Sequence, residues 1–297
     1  MKMRMWLTNN LAKIVSFILL AAFSIIAMSP IIWGVFGSFR TWRDLTNNSA
    51  SFFPTSWSAF TFDGYLELFS RSVFNPSHAN EYFPIWRWAL NSLFVAVAST
   101  GLYLIIASLA AYAFVFLDFK WSNRIFMVLI ATMTIPGVIS TTPQLINMNN
   151  LGVYKSLWGL IIPGLGGVFG LFLIRQFFLG IPKDLVENAR MDGASDFSIF
   201  RKVVVPLGKS ALFVQGLFGF LGAWNDVAWA QLIVGSASRD TWTLSYGLKV
   251  MSDNAEAMES MTLALAGAVI GIVPIFIVYL IAQSYIIEGV AFTGMKR

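Results

Sequence analysis

Cysteine is absent from all 297 residues. That excludes disulfides, thiol nucleophiles, Cys-ligated zinc and iron–sulfur clusters. Histidine occurs once, as His78, which removes most zinc and triad chemistry. Charge is scarce as well. Asp, Glu, Lys and Arg make up 12% of the chain, where a soluble domain carries about a quarter. In their place stand 57% hydrophobic residues, with 27 Phe and 11 Trp, and a mean hydropathy of +0.70. A water-soluble fold of this size cannot bury so much apolar surface and still cover itself with polar groups. Disorder is excluded by the same aromatic and aliphatic content. The composition specifies an integral membrane protein.

A spanning helix needs about 20 mostly apolar residues. Six windows qualify, near residues 14–36, 89–115, 126–145, 157–178, 211–234 and 261–286. The first follows Lys2, Arg4 and Lys13, as a signal peptide would. It is too long for that, and no small-residue cleavage site follows it. The expected organisation is an N-terminal tail and first span over 1–36, an aromatic-rich outer loop over 37–88, a five-helix core over 89–286 containing a long loop at 180–209, and a tail over 287–297.

Six spans put both termini on one side. The segments on that side carry 13 Lys and Arg and 6 Asp and Glu. The opposite segments carry 7 basic and 8 acidic residues. The basic bias marks the cytoplasmic face, so both termini of this multi-pass protein are expected in the cytoplasm. The overall charge of +5 is then mostly a topology signal. It gives no reason to expect nucleic acid as a partner, and it leaves no positive outer funnel for anions.

The outer loop 37–88 contains twelve aromatic residues between Phe52 and Trp88. Such density predicts either an interfacial aromatic belt with a small folded cap or a docking face for an outer partner. His78, in the same loop, has no second ligand candidate and reads as an ordinary loop residue. The outer loop 235–260 is polar and reads as solvated, with room for a surface helix. The loop at 180–209 is the most informative. Pro182 and Asp184 suit the start of a helix, and Leu185, Val186 and Ala189 form one apolar stripe. Asp192-Gly193 ends that helix. Ser195-Asp196 caps a second, with a stripe of Phe197, Phe200 and Val204, and Pro206 is expected to stop it. The stripe is expected to be covered by another protein or by the bilayer surface.

Glu187-Asn188-Ala189, then Asp192-Gly193-Ala194, then Phe200, Val203, Val205 and Pro206, resemble the EAA loop of bacterial ABC-importer permeases. The order, spacing and position before the last two spans agree. Phe220-Leu221-Gly222-Ala223-Trp224-Asn225-Asp226 is similar to the fifth-span segment of carbohydrate permeases. The tail from Gly289 to Arg297, and Pro84-Ile85-Trp86-Arg87-Trp88 before Asn91-Ser92, resemble the MalG-type subunit. One departure is Asn188, where that family usually has alanine.

The resemblance implies an all-α, MetI-like type I importer permease. It implies a MalF-like second permease, a homodimer of cytoplasmic ATPase subunits, an outer solute-binding protein and surrounding lipid. ATP and magnesium would be bound by the ATPase subunits, and no cofactor by this chain. By the same resemblance Glu187, Ala189, Asp192, Gly193, Ala194, Phe200 and Pro206 carry the ATPase-coupling contact. Gly294, Met295, Lys296 and Arg297 reach toward the ATPase dimer. The cargo implied is an oligosaccharide.

Asp226 is the one acid well inside an expected span, and such groups usually face protein or water. With Trp224, Asn225, Trp229 and, more weakly, Gln215 it is a candidate for the substrate path, since sugars stack on rings and bond amides and carboxylates. The alternative places Asp226 at the outer helix end or against the partner permease. Pro136-Gly137 is a kink site in the third span. The fourth span holds a GxxxG pair, Gly166 and Gly170. Motifs for enzymatic work are missing. Gly208-Lys209-Ser210 ends like a phosphate loop, but Val203 occupies its first glycine position. No catalytic residue and no metal site is expected. Two other readings remain: an ABC permease for a non-sugar solute such as a polyamine or phosphate ester, and an autonomous channel or membrane enzyme.

Overall fold

The computed structural model describes residues 2–71, 83–253 and 261–294, with side chains placed from 13 to 283 within those ranges. His78 and the tail residues Met295, Lys296 and Arg297 lie outside the described residues, and Gly294 is described in its backbone alone. The described chain is helical, with one isolated bridge between Arg40 and Phe60. Its helices are α1 (Lys2–Gly37), α2 (Trp42–Asn47), α3 (Asp63–Ser70), α4 (Ile85–Phe116), α5 (Ser122–Thr132), α6 (Gly137–Asn150), α7 (Leu157–Ile161) and α8 (Val168–Phe178). They continue as α9 (Lys183–Met191), α10 (Asp196–Ile199), α11 (Val205–Leu207), α12 (Lys209–Trp224), α13 (Ala228–Val234), α14 (Leu244–Asp253) and α15 (Met261–Gly294).

Three stretches cross a bilayer by length and apolarity alone: Lys13–Gly37, Ile85–Phe116 and Met261–Gln283. Three further helix pairs pass the same test only when taken together, each bent at a short break. α5 and α6 meet at 99°, across Met133–Pro136, where proline cannot continue the ladder. The segment Leu157–Gly166 meets α8 at 47°. The run from Asp196 to Leu207 meets α12 at 80°. The expected fifth span, 211–234, is therefore interrupted. α12 ends at Trp224, and α13 begins only at Ala228.

The chain divides into two compact units. The first comprises residues 1–81 and 250–270. Its segment 38–71 folds on itself around a buried ion pair. Arg40 is fully buried, and its Nε donates to Asp44 Oδ2 at 2.6 Å. Its other nitrogens donate to the carbonyls of Ser51 (2.7 Å), Asp44 (3.0 Å) and Asn48 (3.0 Å). Burial works to raise the Asp44 pKa, but the Thr55 hydroxyl and the Arg40 guanidinium outweigh it and hold the carboxyl at about 2. Phe39, Phe60, Phe62 and Tyr65 form a ring cluster beside this pair, with centroids 5.2 to 5.8 Å apart. The aromatic-rich loop is thus a folded cap, and Trp57 stands 94% exposed on it.

The second unit comprises residues 82–249 and 271–297. α4 runs through it, starting at Ile85 after Pro84 rather than at 89. The loop after α13 is packed, contrary to the solvated reading. Trp242, Leu244 and Tyr246 are buried. Trp88 stacks on Trp242 with centroids 5.8 Å apart. Asn91 donates to the carbonyls of Asp240 and Trp242, and Ser92 Oγ accepts the Leu244 N–H at 2.8 Å. Three apolar residues set among polar ones bury this loop without giving it a long apolar run.

Candidate functional site

Two regions bring chemistry-bearing residues together. The first is the hairpin built from α9, α10 and the turn between them. α9 ends in a Schellman arrangement. The Gly193 N–H donates to the Arg190 carbonyl at 2.9 Å, and the Ala194 N–H to the Ala189 carbonyl at 3.0 Å. Gly193 adopts φ +81°, a region that favours glycine. Ala189 and Ala194 then meet across the turn and pack on the core. Ser195 caps α10, its Oγ accepting the Ser198 N–H at 3.3 Å. This explains Ala189, Gly193, Ala194 and Ser195 in one local geometry.

Pro206 does not stop the second helix. Residues 200–204 form a π turn, and the Val205 N–H donates to the Phe200 carbonyl five residues back. The wider turn makes room for the proline ring, which would otherwise strike the carbonyl four residues earlier. The chain stays helical to Leu207 and bends only at Gly208.

The apolar side of the hairpin is covered by its own chain, which corrects the expectation that only a partner or lipid could do this. Val186, Ile199 and Val204 are buried in one cluster with Tyr112 and Phe116 of α4 and Ile174 and Phe178 of α8. Leu185, Met191 and Phe197 remain exposed, at 45%, 87% and 65%. Asp184, Glu187, Asn188 and Asp192 are exposed beside them. The stripe read from the sequence splits in two, one part core and one part free surface.

A polar clasp fastens the hairpin to α4. Arg190 Nη2 donates to Asp196 Oδ1 at 2.9 Å and to the Phe116 carbonyl at 2.7 Å. The Tyr112 hydroxyl donates to the same Asp196 oxygen at 3.1 Å. Phe116 is the last residue of α4, so the guanidinium satisfies a carbonyl that the helix leaves without a partner. The Arg190 hydrogen bond, then that of Tyr112, holds the Asp196 carboxyl below its ordinary range. Asp196 in turn raises the Arg190 pKa.

The second region is an open cavity of about 400 Å³, within the size range of ligand pockets. Its wall includes Ser99, Thr100, Tyr103, Gln144, Asp226 and Trp229. Asp226 lies in the break after α12, where its Oδ1 accepts the Trp229 N–H at 3.0 Å and caps α13. Trp229 Nε1 donates to the Gly159 carbonyl at 3.0 Å. Of the other expected path residues, Trp224 is buried between helices, stacked on Phe220 and donating to the Gly271 carbonyl at 3.2 Å. Asn225 turns back to the Leu221 carbonyl at 3.0 Å. Gln215 is buried behind the wall, its Nε2 3.4 Å from the Tyr103 hydroxyl. Tyr103 donates to the Gly167 carbonyl at 3.1 Å. Gly170 faces Tyr103 and Gln215 so closely that a Cβ there would overlap both. Gly166 has nothing near it, so the close approach belongs to Gly167 and Gly170 rather than to a GxxxG pair. Sequence reasoning missed Tyr103 and Thr100, because α4 is apolar on average and its wall-facing residues carry no motif, and it missed Gln144 because no motif surrounds it in α6.

A multi-span helical protein with a clasped hairpin on one side and a polar cavity within its helices is defined by these observations. A family model described as "Binding-protein-dependent transport system inner membrane component" matches residues 103–288, a stretch that includes the hairpin and all of the cavity wall except Ser99 and Thr100. The chain belongs to that family, and it is therefore a multi-pass transport permease of the inner membrane. It is 30% identical over 278 residues to the arabinooligosaccharides transport system permease protein AraQ of Halalkalibacterium halodurans, covering 93% of this chain and 94% of that one. It is 31% identical over 206 residues to the sn-glycerol-3-phosphate transport system permease protein UgpE of Shigella flexneri, covering 69% and 73%. A crystal structure of a bacterial ABC transporter involved in the import of the acidic polysaccharide alginate matches with a TM-score of 0.77 at 26% identity, over 94% of this chain and 98% of that chain.

Proposed function

We propose that this chain is one of two permease subunits of an ATP-driven carbohydrate importer. The observation that carries the coupling half of this reading is the clasped hairpin, whose outer surface leaves Glu187 and the apolar Leu185, Met191 and Phe197 free. A mixed acidic and apolar surface on a helix held rigidly by its own core suits a groove on a cytoplasmic ATPase. In this reading the termini and the hairpin lie in the cytoplasm. ATP and magnesium are held by the ATPase homodimer, and an outer solute-binding protein delivers the cargo. ATPase closure biases the permease pair between inward-facing and outward-facing arrangements through the hairpins.

The cavity supports a neutral sugar. Hydroxyls of Ser99, Thr100 and Tyr103, the Gln144 amide and the Asp226 carboxylate supply donors and acceptors, and Trp229 supplies a ring. Asp226 is its one charged wall residue, so this half of the path has no cation for a uronate or a phosphate ester. The test is purification in mild detergent followed by intact-complex mass spectrometry and ATPase assays with a sugar panel. Two ATPase copies and a second permease, with hydrolysis stimulated by a neutral oligosaccharide and its binding protein, are the expected result. A lone chain, or stimulation by a polyamine or phosphate ester alone, overturns it.

A further inference from the structure

Another cavity of the second unit shares no lining residue with the cavity that holds Asp226. It is an open groove of about 870 Å³ at the junction of three helix ends. The end of α4, the start of α5 and the end of α8 meet there. Lys120, Arg124, Arg175 and Lys183 line it, and Asp118 is the sole carboxylate among the lining residues. Among the described residues, none of the four cations is within 4 Å of a carboxylate oxygen. Four unpaired cations in one groove repel one another unless an anion joins them.

Two further observations point to a ligand. The Arg175 guanidinium is fixed over the Phe126 ring, 4.1 Å from its centroid, and its Nε is buried with no acceptor. An arginine held by stacking keeps its fork pre-organised for phosphate. Arg124 is held likewise, 4.6 Å from the Trp121 ring centroid. Trp121 takes φ +78° in the turn before α5, a conformation costly for a bulky residue. Trp121 is 54% exposed, and it lines the groove together with Phe119 and Leu179. Next to them α5 presents Ile125, Met127 and Val128, all exposed. The groove thus has a cationic floor and an apolar margin that continues along α5.

We propose that this groove binds the headgroup of an anionic phospholipid of the cytoplasmic leaflet, with the phosphate on Arg175, Arg124 and Lys120 and the acyl chains along α5. Helix ends at the membrane boundary place the cations at headgroup depth, and basic grooves between spans on that side suit such lipids. The proposal rests on the cytoplasmic orientation of the hairpin side given above, not on the cargo. A soluble phosphate would use the same cations, but it would leave the apolar margin unused.

The experiment uses the complete purified transporter in mild detergent, titrated with phosphatidylglycerol, phosphatidylcholine or inorganic phosphate, and read by intact-complex mass spectrometry and thermal shift. Phosphatidylglycerol is expected to be retained and to raise the melting temperature, with phosphatidylcholine inert. Lys120→Gln with Arg124→Gln is expected to weaken retention by about 25-fold, roughly fivefold for each cation removed. If that double variant fails to assemble, Lys120→Gln alone gives about a fivefold loss. Equal retention of the two lipids, or unchanged retention in an assembled variant, overturns the proposal. Inorganic phosphate that displaces phosphatidylglycerol at millimolar concentration overturns the lipid assignment in favour of a soluble anion. Labelling of Ser122→Cys from one side in this cysteine-free chain reads the orientation separately, so failure of the orientation and failure of the lipid site are distinguishable.

Discussion

Arg190 reaches two partners with one nitrogen: Asp196 Oδ1 at 2.9 Å and the carbonyl of Phe116 at 2.7 Å. Sequence neighbours across the hairpin turn are thereby tied to a helix end more than seventy residues away.

Removing the guanidinium should loosen the hairpin without unfolding the spans. Both side chains are well exposed, so Arg190→Ala is expected to cost only about 1 kcal/mol. Hydrogen exchange at α9 and α10 should rise severalfold, while α4 and α8 stay protected. The pH dependence follows from the depressed Asp196 pKa. A carboxyl whose folded pKa is lowered contributes its full stability above the unfolded value, about 3.9. That contribution is lost only as pH falls through the lower folded value. Hairpin protection should therefore be flat from neutral pH down to the ordinary carboxylate range and fall below it. A loss already at pH 6 would show that another group controls the clasp.

Gly193 is expected to tolerate asparagine and reject valine. At φ +81° a β-branched residue should cost about 1–2 kcal/mol, whereas asparagine visits this region readily. Gly193→Val should lower cargo-stimulated ATP hydrolysis by tenfold or more, and Gly193→Asn by less than threefold. Equal effects from the two would remove backbone conformation as the cause.

Glu187→Ala should separate coupling from folding. The side chain is exposed and takes no part in the clasp. Membrane insertion and hairpin protection should be unchanged, while uptake falls about tenfold or more, the loss of roughly one well-placed charged contact. Normal uptake would show that the docking contact lies elsewhere on the hairpin.

Asp226→Asn isolates charge from capping. Asparagine caps as well as aspartate, so α13 should hold and the melting temperature should stay within about 2 °C. A severalfold change in the uptake KM would follow from the cavity wall position. An unchanged KM would leave Asp226 with the cap alone.

Trp224→Ala should behave differently from both. The ring is buried, stacked on Phe220 and bonded to the Gly271 carbonyl. Loss of about 3–5 kcal/mol is expected, read as poor expression and low melting temperature rather than as altered affinity.

The spans were legible because each needs a long apolar run, and the hairpin because its turn chemistry is local. Asp192-Gly193 and Ser195 announce their geometry within a few residues. Burial was less legible. Leu185 and Val186 are adjacent and equally apolar, yet one is exposed and the other lies in the core. Their separation depends on where α4 and α8 lie, which no local pattern contains. Trp224, Asn225 and Asp226 stand in sequence order, but the helix break sends the first into packing and the last to the cavity. The wall residues Tyr103 and Gln144 come from distant helices, and nothing in their own neighbourhoods marks them. Trp242 and Leu244 were hidden by polar neighbours that merely line the outside of a packed loop.

The π turn at 200–204 has a mechanical consequence. An ordinary helix end yields under load by fraying, but this one is seated in the core through Ile199 and Val204 and turns through 80° at Gly208. The hairpin and the start of α12 thus form a stiff crank. In the proposed coupling, a thrust on the free face of α9 would turn the foot of α12, whose opposite end is the break that carries Asp226 to the cavity wall.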